Sequence, residues 1–182
     1  MRGVGIDKIL IDIQWDTPTA NHGVLSRDEL PRSVTRYPIT YVATTDASYL
    51  LGQHSVTFYH FSKSHLEFFD SYGCPRDEYH FPIPTTITQI DINSHQIQSE
   101  NSYVCCQYCI IYLYYRSHDI PLPQIIKALL MTHNSILFVR IFHSKLRSRI
   151  SLCSLDHSCC THQSCTGKHQ ETDKVSILVH VT

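Results

Sequence analysis

No stretch of this 182-residue chain is both apolar and long enough to cross a bilayer. Its longest apolar runs, Cys109–Tyr115 and Ile125–Met131, fall well short of a membrane span. An excess of charge of either sign is also missing. Charged residues make up 17% of the chain and the formal net charge is −1, so the basic footprint of a nucleic-acid partner is lacking. The N-terminal apolar run carries Asp7 and Asp12, which excludes the hydrophobic region of a secretory signal. Internal repeats are absent, and so are the paired C-x₂-C knuckles of common zinc modules. These absences predict a soluble, intracellular protein of nucleus or cytoplasm, where thiols stay reduced. No membrane partner is expected, composition supports no nucleic-acid partner, and nothing bears on oligomeric state.

Eight cysteines are present, and their placement argues against a disulfide scaffold. Cys74 stands alone, three cluster around Cys105, and four fall between Cys153 and Cys165. The length suits one domain with a real core, and 42% of residues are hydrophobic. The chain divides into an N-terminal extension of ambiguous structure (1–22), a folded domain (23–143) and a polar tail (144–182). The tail mixes Cys and His over Cys153–Cys165, a composition that permits zinc but lacks its usual spacing. The tail therefore reads as poorly ordered and metal-free, and no cofactor is expected.

Within the domain, Ser26-Arg27-Asp28-Glu29 fits a capping box, and Pro31 limits the helix to about a turn. Ile39–Thr44 is rich in β-branched and aromatic residues and predicts a buried strand. His54–Phe61 and His65–Asp70 predict two further strands joined through Ser62-Lys63-Ser64. A tight hairpin pivoting near Ser62–Lys63 sets His54 opposite residue 70 or 71. Directly opposed side chains on one face have Cβ atoms about 5 Å apart, so His54 and Asp70 are brought close. Pro75, Pro82 and Pro84 predict a loop over Gly73–Pro84, and Ile87–Ile92 alternates as a strand does. Pro121 and Pro123 fit the start of a helix over Gln124–Met131, and Ile136–Phe142 is either helix or strand.

The most informative stretch is Gln98 to Cys109. A turn-forming run, Ser99 to Ser102, leads into a helix-like apolar run, Val104–Tyr115, with Asn101 and Ser102 as candidate N-caps. Cys105 then falls in or next to the first turn, where the helix dipole and unpaired N–H groups favour a thiolate. Gln98 could place an amide donor beside the sulfur, as an oxyanion hole requires. Read alone, Cys105, Cys106 and Cys109 fit better as the packing residues of a buried helix.

Taken together, these segments resemble the adenovirus-type cysteine endopeptidases, most closely the version carried by Polinton/Maverick transposons. The wider clan includes the ubiquitin-like-protein (SUMO) proteases. Gly52-Gln53-His54 is similar to the histidine segment, Phe68-Phe69-Asp70-Ser71-Tyr72-Gly73 to the acid segment, and Gln98 with Cys105 seven positions on to the nucleophile region. Tyr37–Asp46 and Gly23–Pro31 also look like the transposon version, so the resemblance runs from about Gly23 to about Leu130. It implies an α+β fold with the nucleophilic cysteine on a central helix facing a mostly antiparallel sheet. The implied activity is thiol endopeptidase cleavage at glycine-containing sites of a transposon or viral polyprotein, or of a ubiquitin-like tail. Cys105 would be the nucleophile, His54 its acid–base partner, Asp70 the group orienting His54, and Gln98 an oxyanion donor, with no metal. Cys106 is the competing nucleophile and Gln96 the competing donor; the family's spacing favours Cys105 and Gln98. Adenovirus-type enzymes are associated with DNA as a cofactor, which this composition does not support.

The chain departs from the family pattern at two places. Ser55 stands where the family usually has Trp, and Cys106 where it usually has Gly. They define the alternative reading: a relative that folds and binds peptide tails without cleaving them.

Overall fold

The computed structural model describes residues 20–50, 54–132, 137–142 and 144–145. Five strands form one sheet in chain order: β1 (Ala20–Ser26), β2 (Ile39–Thr44), β3 (Ser55–His60), β4 (His65–Phe69) and β5 (Gln89–Ile92). Two helices follow, α1 (Cys105–Ser117) and α2 (Leu122–Met131), and residues 137–142 are helical as well. The fold is α+β. Strand β1 starts inside the segment taken as an extension; the expectations for residues 1–19 and for the tail beyond residue 145 lie outside the described residues.

The sheet corrects the expected mostly antiparallel arrangement. β2–β3 and β3–β4 are antiparallel, but β1–β2 and β4–β5 are parallel. Connection length explains the difference. Antiparallel neighbours can be joined by short turns, whereas the parallel pairs need the long crossings 27–38 and 70–88. The second crossing also corrects the prediction of an unstructured loop over Gly73–Pro84. It contains a 3₁₀ turn, Arg76–Tyr79, which starts directly after Pro75 where the run holds no further proline.

Alternation along the strands gives each face of the sheet its own core. On one face, Val42, Tyr59 and Phe69 pack with α1, α2, Val139 and Phe142. On the other, Tyr41, Ala43, Val56, Phe58, Leu66 and Phe68 pack with Leu30 and Phe81. Because the middle of α1 is packed on all sides, every residue from Tyr108 to Leu113 is buried, each large apolar side chain contributing about 1.5–3 kcal/mol. Phe69 stacks on Tyr112 at 4.6 Å between centroids. Farther along α1, Arg116 reaches Glu67 at 2.9 Å and lies over the Tyr59 ring at 4.7 Å; Tyr112 also donates its hydroxyl to Glu67. The helix is thus fixed to β3 and β4 at its C-terminal end.

Three local readings meet the structure directly. The capping box forms, with the Ser26 N–H donating to Glu29 Oε2 at 2.9 Å. α1 begins at Cys105, but neither Asn101 nor Ser102 caps it. Ser102 donates its hydroxyl to Ser99 O at 2.8 Å, closing its own turn, and the cap position falls on Val104, which has no capping side chain. α2 starts two residues before the predicted Gln124, with Pro123 inside its first turn where a missing N–H costs nothing.

Candidate active site

The β3–β4 hairpin is the first element of the site. Its pairs run from Thr57↔Phe69 to His60↔Leu66, so it turns about Lys63 through a loop of residues 61–64. The wider loop shifts the predicted register: Asp70 falls in line with Val56, and His54 in line with Tyr72. His54 nevertheless reaches Asp70, because diagonal neighbours on one face remain within reach of long side chains. His54 Nε2 lies 2.7 Å from Asp70 Oδ1, and both residues are buried. The His54 ring also packs on its true opposite number, Tyr72, at 4.7 Å.

By alternation, His54 and Asp70 belong with Val56 and Phe68 on the face away from α1. They meet the helix because each lies one residue past its strand, β3 starting at Ser55 and β4 ending at Phe69. Into this corner comes the first residue of α1, Cys105. Ser55 and Cys109 hold the helix there, with the Cys109 thiol donating to Ser55 O at 3.4 Å. His54 Nδ1 is buried and closes no hydrogen bond. The Cys105 thiol lies against the imidazole closely enough to perturb both groups.

The electrostatics follow from this contact. The Cys105 thiol is lowered to about 4; hydrogen bonding from Cys106 is the largest cause, burial opposes it, and His54 and the Ser55 backbone N–H add to it. Burial works against a charge on His54, but the Asp70 hydrogen bond and the adjacent Cys105 sulfur outweigh it and raise the imidazole to about 9. The Cys106 thiol is pushed strongly upward by donating to Cys105 and by burial. Of the two adjacent cysteines, Cys105 is the one shifted toward the thiolate and Cys106 the one shifted toward the neutral thiol. Ser55 Oγ lies 2.9 Å from Cys106 Sγ, so these two residues touch each other.

Besides His54, three residues hold Asp70: Tyr72, Tyr79 and Asn93. Oδ1 also accepts from the Tyr72 N–H at 2.8 Å, and Oδ2 accepts from the Tyr79 hydroxyl at 2.7 Å. Asn93 brackets the backbone, accepting from Asp70 N at 2.8 Å and donating to Asp70 O at 2.6 Å. Both Ile97 N–H and Gln98 N–H donate to Ser71 O at 2.8 and 2.9 Å. Where the two segments cross, Gly73 has φ +72°, and a Cβ there would lie 2.6 Å from the His95 carbonyl carbon. Glycine answers both demands.

Gln98 is buried in this wall. Its Oε1 accepts from Ser71 Oγ at 2.7 Å, and its Nε2 donates to Ser102 O at 2.8 Å and to Tyr72 Oη at 3.2 Å. Gln96 is exposed and donates to Gln98 O at 3.0 Å, bracing the loop from outside. The four predicted residues thus gather at one corner, with Gln98 joined to the rest through Tyr72 and Ser102. The arrangement can hold a thiolate beside a protonated imidazole, with the open N-terminus of α1 at hand. The Gly52-Gln53 half of the histidine segment and the Cys153–Cys165 cluster lie outside the described residues. Among the described residues no helix is long and apolar enough to cross a membrane, and no group of three or more His, Cys, Asp or Glu side chains could hold a metal ion.

No family model matches the chain, and no curated protein does. Among solved structures, the chain is similar to the central domain of the uncharacterized Lpg1148 protein from Legionella pneumophila. The TM-score is 0.52 at 15% identity, over 83% of this chain and 97% of that one. At that identity the likeness is one of fold alone.

Proposed function

We propose that the chain is a cysteine-type endopeptidase of the adenovirus-protease kind, with Cys105, His54 and Asp70 as its reacting unit. The observation that carries this reading is the alignment of a low-pKa Cys105 thiol, the His54 imidazole against it, and Asp70 at 2.7 Å from the far ring nitrogen. A merely packing cysteine needs none of these, and the order of the residues along the chain is that of the resembling family.

In the reaction, the Cys105 thiolate attacks the substrate carbonyl carbon, forming a C–S bond while the carbonyl electron pair moves to oxygen. The tetrahedral oxyanion is met by the Cys105 backbone N–H, one of the helix donors without an intrahelical partner. Collapse breaks the C–N bond, and the leaving amine takes its proton from the His54 imidazolium. Neutral His54 then accepts a proton from water as it attacks the thioester, and the thiolate departs. Asp70 holds His54 in one orientation and stabilises its charged form. The substrate class is a peptide or protein with glycine at the cleavage site, from a polyprotein or a ubiquitin-like tail.

A glycine-ended peptide bearing an electrophilic C-terminus tests the reading. Cys105→Ala should abolish adduct formation, His54→Ala should slow it strongly, and Cys106→Ala should leave it in place. Labelling that moves to Cys106, or that proceeds unchanged without His54, removes the assignment. Tight binding of the peptide without any adduct would instead identify a binding module.

A further inference from the structure

Gln98, the residue that the family's order marks as the oxyanion donor, has no amide hydrogen left to give. Nε2 carries two hydrogens; one is engaged by Ser102 O at 2.8 Å and the other by Tyr72 Oη at 3.2 Å. Its Oε1 is anchored by Ser71 Oγ at 2.7 Å, so the amide cannot turn without losing all three bonds. The side chain is also buried, 1% exposed. These are the bonds of a fixed support.

The hydroxyl that Gln98 supports is in the opposite condition. Tyr72 is only half-buried, while Asp70, Ser71, Gln98 and Ser102 around it are buried. Its ring packs on His54, and its hydroxyl extends to the loop that delivers Cys105. There it donates to Ser102 O at 3.4 Å, among the longest hydrogen bonds of this corner. Ser102 O keeps its 2.8 Å bond from Gln98 when the tyrosine hydrogen leaves. The hydroxyl therefore has a proton it can redirect at little cost, and an amide donating into its oxygen, which strengthens it as a donor. Cys105 is near enough for a thiolate there to push the Tyr72 hydroxyl upward, after burial, so it stays protonated at working pH.

Resting on the endopeptidase reading, we infer that Tyr72 is a catalytic residue that donates its hydroxyl hydrogen bond to the substrate oxyanion, and that Gln98 is the positioning residue that aims it. Tyr72 exchanges a long bond to Ser102 O for a short one to the developing oxyanion, while no proton is transferred. The gain falls on the transition state, where charge appears on the carbonyl oxygen.

Tyr72→Phe tests this, because it keeps the ring against His54 and removes only the hydroxyl. The substrate is a glycine-ended peptide coumarin amide, and iodoacetamide is the control, since alkylation forms no oxyanion. We expect kcat for the amide to fall about 10²–10³-fold with KM within threefold. The rate and pH profile of Cys105 alkylation should stay within twofold of the parent. Adding Gln98→Ala to Tyr72→Phe should lower kcat little further. A Gln98 donor predicts the opposite sign: losing the tyrosine hydroxyl frees an amide hydrogen, and kcat holds or rises. A Tyr72→Phe kcat within threefold of the parent, or above it, overturns the inference and leaves the endopeptidase reading standing. A parent chain with no Cys105-dependent turnover overturns both, and a Tyr72→Phe variant that loses alkylation to the same extent as turnover shows a structural role and overturns the inference.

Discussion

A thiolate beside an imidazolium persists only in the pH window between their two pKa values. With Cys105 lowered to about 4 and His54 raised to about 9, that window is wide. Alkylation of Cys105 should reach half its maximum near pH 4 and stay flat toward pH 9. Turnover should decline above about pH 9, where His54 has lost the proton that the leaving amine needs. His54→Ala should raise the alkylation midpoint part of the way toward the ordinary thiol range of about 8.5, since Cys106 still holds it down. Peptide mass mapping after timed alkylation checks this residue by residue, and a parent midpoint already near 8.5 would dissolve the ion pair. At this scale the helix start at Cys105 was legible from the polar turn that leads into the apolar run, though not through the caps expected of Asn101 and Ser102. Tyr72, Tyr79 and Asn93 were not. Tyr79 and Asn93 reach Asp70 from later in the chain, and the Tyr72 hydroxyl meets Gln98 across two segments, and no spacing in one segment records what another brings to it.

Among the elements, α1 is the one whose placement decides the site. Its first residue meets His54, and its C-terminal end is locked to the sheet by Arg116 on Glu67. Both partners are buried, and burial pushes the Glu67 carboxyl upward against the opposing pull of Tyr112 and Arg116. Removing one member of a buried pair strands the other, at a cost of about 3–5 kcal/mol. Arg116→Ala should destabilise the protein by about that much in urea unfolding at neutral pH. A loss below about 1 kcal/mol would mean that water reaches Glu67. Element identity was readable for β2, β3, β4, α1 and α2, where periodicity and proline placement speak locally. The hairpin register was not, because the residues of 61–64 suit a tight turn and a wider loop alike. Nor were the parallel pairings of β1 and β5, which depend on how residues 27–38 and 70–88 cross.

For the whole molecule, acid is the condition to watch. His60 is fully buried on the face away from α1, with Nε2 2.7 Å from Tyr41 Oη, and burial lowers it to about 4. Unfolded, it titrates near 6.5. Between those values the unfolded chain takes up a proton that the folded one refuses, so the contribution of His60 is complete above about pH 6.5 and is lost as pH falls toward 4. The loss from this residue is on the order of 3 kcal/mol. Tyr41→Phe with His60→Phe removes both hydrogen-bonding partners together and should flatten the acid side of the profile. Urea midpoints at pH 7 and pH 4.5 for parent and double variant measure the effect. An equal acid loss in both would assign it to other groups.

The 2.9 Å contact between Ser55 and Cys106 carries a last consequence, for how such a chain can change over time. Ser55 is 4% exposed, so a Trp entering alone has to displace Cys106 and strain the α1 start. A Gly at 106 alone leaves a gap beside Ser55 and deprives Cys105 of its sulfhydryl donor. Either step by itself should lower both melting temperature and turnover, and the two together should restore part of each. The positions are epistatic, each substitution tolerable only against the other. Relatives should therefore carry a small residue at one of the two positions and a larger one at the other, and pairs that are both large or both small should be rare.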